Sequence, residues 1–102
     1  MLKKKFLKTK CKVEFVFPSE RVAEAAQVHL VGDFNQWNES SHPMEKSGKH
    51  FKLSLDLELD QRYQFRYLVN GTDWHNDWEA DEYVPNAFGG ENSVVSTQAE
   101  SA

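Results

Sequence analysis

FKLSLDLEL, residues 51–59, alternates without a break: Phe51, Leu53, Leu55, Leu57 and Leu59 are apolar, while Lys52, Ser54, Asp56 and Glu58 are polar. Successive side chains of a strand point to opposite faces, so this stretch has one face for a core and one for water. Residues 63–69 follow a turn at Asp60-Gln61, with Tyr63, Phe65, Tyr67 and Val69 on one face. Asn70-Gly71 closes that strand, since both residues tolerate the positive φ of a tight hairpin turn. Towards the N-terminus, Val13, Phe15 and Phe17 alternate from Cys11 against Lys12 and Glu14. Pro18 ends that strand because it has no N–H for a ladder. Residues 28–31 read as a second, largely buried strand ending at Gly32, and residues 92–97 as a short final one. Residues 21–27 are alanine-rich and have room for a single helical turn, too little for a secure helix. Short strands between turn-rich segments, without a long helical pattern, predict an all-β, antiparallel β-sandwich.

The 102 residues suit one domain, and hydrophobic and charged fractions of 39% and 27% are those of an ordinary globular chain. We expect a flexible basic N-terminus over 1–9, a sandwich over 10–97 and a disordered tail over 98–102. No apolar run approaches the ~20 residues of a membrane helix, so a membrane is not an expected partner. Phe6 and Leu7 lie among Lys3, Lys4, Lys5, Lys8 and Lys10. That spacing breaks up the apolar stretch of roughly 7–15 residues that an export signal carries, and the expectation is a cytoplasmic protein. Cys11 is the only cysteine, which excludes an internal disulfide and a thiolate metal cluster. The net charge is −4, with lysines gathered at the start and acids from Asp73 onward. The lysine tail has no continuing basic stripe, so nucleic acid is not expected as a partner either.

Two segments do not fit a plain sandwich. Gly32-Asp33-Phe34-Asn35-Gln36-Trp37-Asn38 sets a tryptophan among polar residues, and Asn35 suits a support for its own loop because its amide bonds nearby backbone. Residues 72–92 are long for a hairpin connection and hold Trp74, His75, Asn76, Asp77, Trp78, Tyr83, Asn86, Phe88 and Asn92. Disorder would leave their large aromatics in water. A sugar ring accounts for such a mixture: its C–H patches pack on a flat aromatic face, while amides and guanidinium groups satisfy its hydroxyls. The residues also allow a plainer reading, with Trp37, Trp74 and Trp78 plugging the ends of the sandwich.

VHLVGDFNQWN, residues 28–38, resembles the opening of the glycogen-binding domain of the AMP-activated kinase β subunit. That domain belongs to carbohydrate-binding module family 48, akin to the early-set domains of isoamylases and branching enzymes. The likeness continues through FKLSLDLELDQRYQFRYLVNGTDWHND and FGGENSVV, in the same order and spacing. It implies an immunoglobulin-like sandwich that binds an α-glucan such as glycogen, a maltooligosaccharide or a cyclodextrin. It also implies that Trp37 and Trp74 stack on sugar, that Arg66 and Asn92 bond its hydroxyls, and that Phe88 adds an apolar contact. Arg66 stands where the family usually has lysine, one extra residue precedes Trp74, and Phe88 replaces an aliphatic residue. Asp77-Trp78 stands where the kinase module has Asp-Pro, and Trp78 is assigned to packing.

Asp73, His75, Asp77, Glu79, Asp81 and Glu82 match neither a calcium-loop pattern nor a zinc-ligand spacing, and read as solvated loop charges. No metal and no cofactor are expected. Glycoside hydrolysis needs two carboxyl groups facing each other across the bond, which a shallow sandwich face does not offer. The expected role is non-catalytic binding. The rival is a protein-interaction module that docks onto a glycogen-metabolising or other enzyme, since an exposed aromatic patch serves that use too.

Overall fold

The computed structural model describes residues 2–22, 25–87 and 89–98. Its strands run in chain order as β1 (Leu2–Phe6), β2 (Lys10–Pro18), β3 (Val28–Gly32), β4 (Glu45–Ser47), β5 (His50–Glu58), β6 (Arg62–Val69), β7 (Asp73–His75), β8 (Glu82–Pro85) and β9 (Glu91–Ser96). They form two antiparallel sheets, ordered β1-β2-β5-β4 and β3-β6-β9-β8. The expected β-sandwich is the observed one.

Pairing places the alternating apolar residues in register. Cys11, Val13, Phe15 and Phe17 of β2 face Leu57, Leu55, Leu53 and Phe51 of β5. Phe65, Tyr67 and Val69 of β6 line up with Gly32, Leu30 and Val28 of β3. The inner faces meet in an aromatic core, with Phe15 edge-on to Phe65 at 5.1 Å and Phe17 edge-on to Tyr67 at 5.2 Å. Offset and edge-on ring pairs of this kind are the favoured arrangements.

Two differences from the sequence reading have physical causes. Within the N-terminus expected to be flexible over 1–9, Leu2–Phe6 forms strand β1, with Leu2 paired to Phe15 and Phe6 to Cys11. Its lysines hide the alternation, but Lys4 meets Asp81 in a partly buried ion pair that ties β1 to the other sheet. Second, the long connection over 72–92 contains β7 and β8. Strand β6 pairs on one flank with β3, and on the other with β9 along its first half and β7 along its second. Segments of three and four residues are too short to display a period. A 3₁₀ turn at Ser19–Arg21 leads out of β2; of the possible helical turn over 21–27, Ala23 and Glu24 lie outside the described residues. So does all of the tail expected over 98–102 except Gln98.

Candidate functional site

The outer face of the second sheet carries the site. Val31 pairs with Arg66 and Leu68 with Trp74, so these four side chains share the face opposite Phe65 and Tyr67. Val31 and Leu68 are buried there, at 0% and 2% exposure. Trp37, Arg66, Trp74, Asn86 and Asn92 line an open groove of about 370 Å³. Four of the five residues expected to contact sugar are thus brought together; the fifth, Phe88, lies outside the described residues.

Each position has a local cause. After β3 the chain makes a 3₁₀ turn at Asp33–Asn35. Asn35 supports this loop as expected: its Oδ1 accepts from the Gly32 N–H at 3.1 Å and its Nδ2 donates to the Leu30 carbonyl at 2.9 Å. Gln36 and Trp37 then take φ values of 58° and 57°. Such left-handed conformations cost on the order of 1–3 kcal/mol each and persist only where surrounding contacts over-determine them. Here the Trp37 N–H donates to the Gly32 carbonyl at 2.9 Å, and the indole Nε1–H donates to Asp33 Oδ1 at 2.9 Å.

Trp74 sits on β7, carried there by the Asn70-Gly71 turn, whose φ values of 53° and 75° are both positive as the dipeptide predicts. Trp74 is 37% exposed, and the Arg66 guanidinium lies over its ring, 5.9 Å from the centroid. The Arg66 side chain makes no hydrogen bond or ion pair among the described residues, and its Nε is buried without a partner. At the groove's other end, Asn92 Nδ2 donates to Gln64 Oε1 at 3.0 Å, and Asn86 Nδ2 donates to Asn92 Oδ1 at 3.2 Å. Asn86 in turn closes the β8–β9 turn, its Oδ1 accepting from the Gly90 N–H at 3.1 Å.

Sequence reading did not single out Asn86 as a site residue. The signal was present as two asparagines flanking a Gly-Gly turn, where a hairpin returns the first beside the second. Nor did it distinguish Asp77 from its neighbours. Among the expected solvated charges, Asp77 is 2% exposed and accepts from the Tyr67 hydroxyl at 2.6 Å. No grouping of His, Cys, Asp and Glu among the described residues could hold a metal ion.

Trp78 lies apart from the groove. Its ring packs on Phe17 at 5.3 Å and stacks on His75 at 6.3 Å, with Arg21 over it at 5.4 Å. Trp78→Ala is therefore expected to cost roughly 2 kcal/mol of stability, below the range for a fully buried tryptophan because the ring is only half-buried. Chemical denaturation checks this, and an unchanged midpoint would place Trp78 outside the packing.

Fold and site together define a β-sandwich module with an aromatic groove on one sheet. The carbohydrate-binding module 48 (isoamylase N-terminal domain) family matches residues 15–84, more than half of the chain, and the chain belongs to that family. A 1,4-alpha-glucan branching enzyme GlgB from Butyrivibrio fibrisolvens is 36% identical over 63 residues, covering 59% of this chain and 10% of that enzyme. A 1,4-alpha-glucan-branching enzyme from Dictyostelium discoideum is 59% identical over 27 residues, 26% of this chain and 4% of the enzyme. The chain spans a small part of these relatives.

Proposed function

We propose that this chain binds α-1,4-glucan of the glycogen or starch type without acting on it. The observation that carries the proposal is the convergence of Trp37, Trp74, Arg66 and Asn92 on one open groove. Trp37 and Trp74 offer aromatic faces to the C–H patches of successive glucose units. The guanidinium of Arg66, whose side chain has no hydrogen-bond partner among the described residues, supplies donors, and the Asn86–Asn92 amides supply both donors and acceptors. Membership of a carbohydrate-binding family supports the ligand class, and the named activity of the two relatives suits an α-1,4-glucan. Among the described residues none of the five that line the groove is a carboxylate, which suits binding over glycoside hydrolysis by paired acids.

An open face with few anchors gives weak binding, on the order of tens of micromolar to millimolar, or roughly −4 to −6 kcal/mol. Co-sedimentation with glycogen, with cellulose as control, and calorimetric titration with maltoheptaose test the proposal. Trp37→Ala and Trp74→Ala are each expected to weaken binding by roughly 1–3 kcal/mol, as aromatic hot spots do. Arg66→Met keeps much of the stem, loses the donors, and should weaken binding too. Absence of heat and of NMR shifts at millimolar sugar would sink the proposal and favour docking onto an enzyme instead.

A further inference from the structure

Neither Asp33 nor Gln64 lines the groove, yet one run of hydrogen bonds passes through both. Asp33 Oδ1 accepts from the Trp37 indole at 2.9 Å, and Oδ2 accepts from the Gln64 backbone N–H at 2.7 Å. The Gln64 side chain then accepts from Asn92, Asn92 from Asn86, and Asn86 from the Gly90 N–H. The run therefore joins the tryptophan on one wall to the amides on the other, using the β6 backbone as its fixed point.

We propose that Asp33 is the positioning residue of this groove: its carboxylate sets the plane of the Trp37 ring and locks it in register with Asn92 and Asn86. The chemistry requires a carboxylate. Both groups that reach Asp33 are N–H donors, and each meets its own carboxylate oxygen. Asparagine has one, and its NH₂ would face one of the donors. The backbone at Trp37 is in the left-handed region, so the bond from its indole also holds a conformation that tryptophan rarely adopts. The consequence for ligand binding rests on the glucan reading above; the consequence for the ring does not.

The test compares Asp33→Asn with the parent by NMR of the indole Nε1–H resonances and by titration with maltoheptaose. The chain has three tryptophans, and the Trp37 resonance is the one that Trp37→Phe removes. In Asp33→Asn without sugar, that resonance alone should shift and exchange faster with solvent. Binding should weaken roughly three- to ten-fold, the scale of one lost hydrogen bond. In the Trp37→Phe background the ring has no N–H to orient, so the same change at Asp33 should cost little further affinity. An unmoved Trp37 resonance overturns the proposal, as does an equal loss of affinity in both backgrounds. Should the parent fail to bind maltoheptaose, the glucan reading falls by itself, and the indole resonance still decides the role of Asp33.

Discussion

Gly32→Ala is expected to destabilise the protein by at least about 3 kcal/mol, at the upper end of what overpacking costs. A Cβ added at Gly32 would lie 2.5 Å from the Gln64 carbonyl oxygen, 2.7 Å from Phe65 Cβ and 2.9 Å from Phe34 Cζ. The first two belong to the frame of β6 and have no rotamer through which to retreat. The third is the tip of a ring packed against Phe15 and Phe65. Relief would require β3 to part from β6, or the 33–35 turn to move. Either shift also disturbs the bonds from Gln64 to Asp33 and from Trp37 to Gly32. Gly71→Ala is the control: Gly71 has φ +75° with nothing within 4 Å of an added Cβ. It should cost only about 1–2 kcal/mol, the ordinary penalty of a left-handed alanine. Urea denaturation of both variants decides the matter. Equal losses would mean that β3 and β6 leave room for a Cβ at Gly32.

The contrast between these two glycines also shows what the sequence makes legible. Gly71 follows Asn70, and the dipeptide announces its conformation locally. Gly32 is constrained by Gln64 and Phe65, which no local pattern connects to it. The same division holds for the whole fold. Strands β2, β5 and β6 are visible because their alternation runs over eight or nine residues. Strand β1 is obscured because its inward positions include Lys4, whose burial makes sense only once Asp81 stands across from it. At the site, Trp37, Arg66, Trp74 and Asn92 follow from the family resemblance, and Arg66 also from its alternation against Phe65 and Tyr67. Asp33 and Gln64 are silent, because their part depends on bonds to residues 4 and 28 positions away. Trp74 and Trp78 show the limit most directly. They are four residues apart and of one type, yet one lies in the groove and the other packs on Phe17.

Asp77→Ala is expected to cost roughly 3–4 kcal/mol, because it strands buried partners as well as removing volume. Asp77 Oδ2 accepts from the Tyr67 hydroxyl at 2.6 Å, and Oδ1 accepts from the Glu79 N–H at 2.7 Å. Its own N–H donates to the Ser93 hydroxyl at 2.8 Å, and the Tyr83 hydroxyl donates to its carbonyl. Backbone bonds survive the substitution in principle, but the Tyr67 hydroxyl is left inside the sandwich without its acceptor. Tyr67→Phe removes the donor instead and should cost less, about 2 kcal/mol, since Asp77 keeps the Glu79 N–H. The pair also leaves a mark on the pH dependence. Burial, and then the neighbouring Asp77 charge, push the Tyr67 phenol well above its usual value of 10.0. The folded protein therefore retains this proton at a pH where the unfolded chain has released it. Stability from this group is complete below about pH 10 and is lost as pH rises beyond it, with a limiting slope of about 1.4 kcal/mol per pH unit. Tyr63, also raised by burial, contributes in the same direction and remains in the Tyr67→Phe variant. Denaturation midpoints of the parent should thus fall more steeply above pH 10 than those of Tyr67→Phe. Parallel alkaline slopes would show that Tyr67 is not held protonated by its place against Asp77.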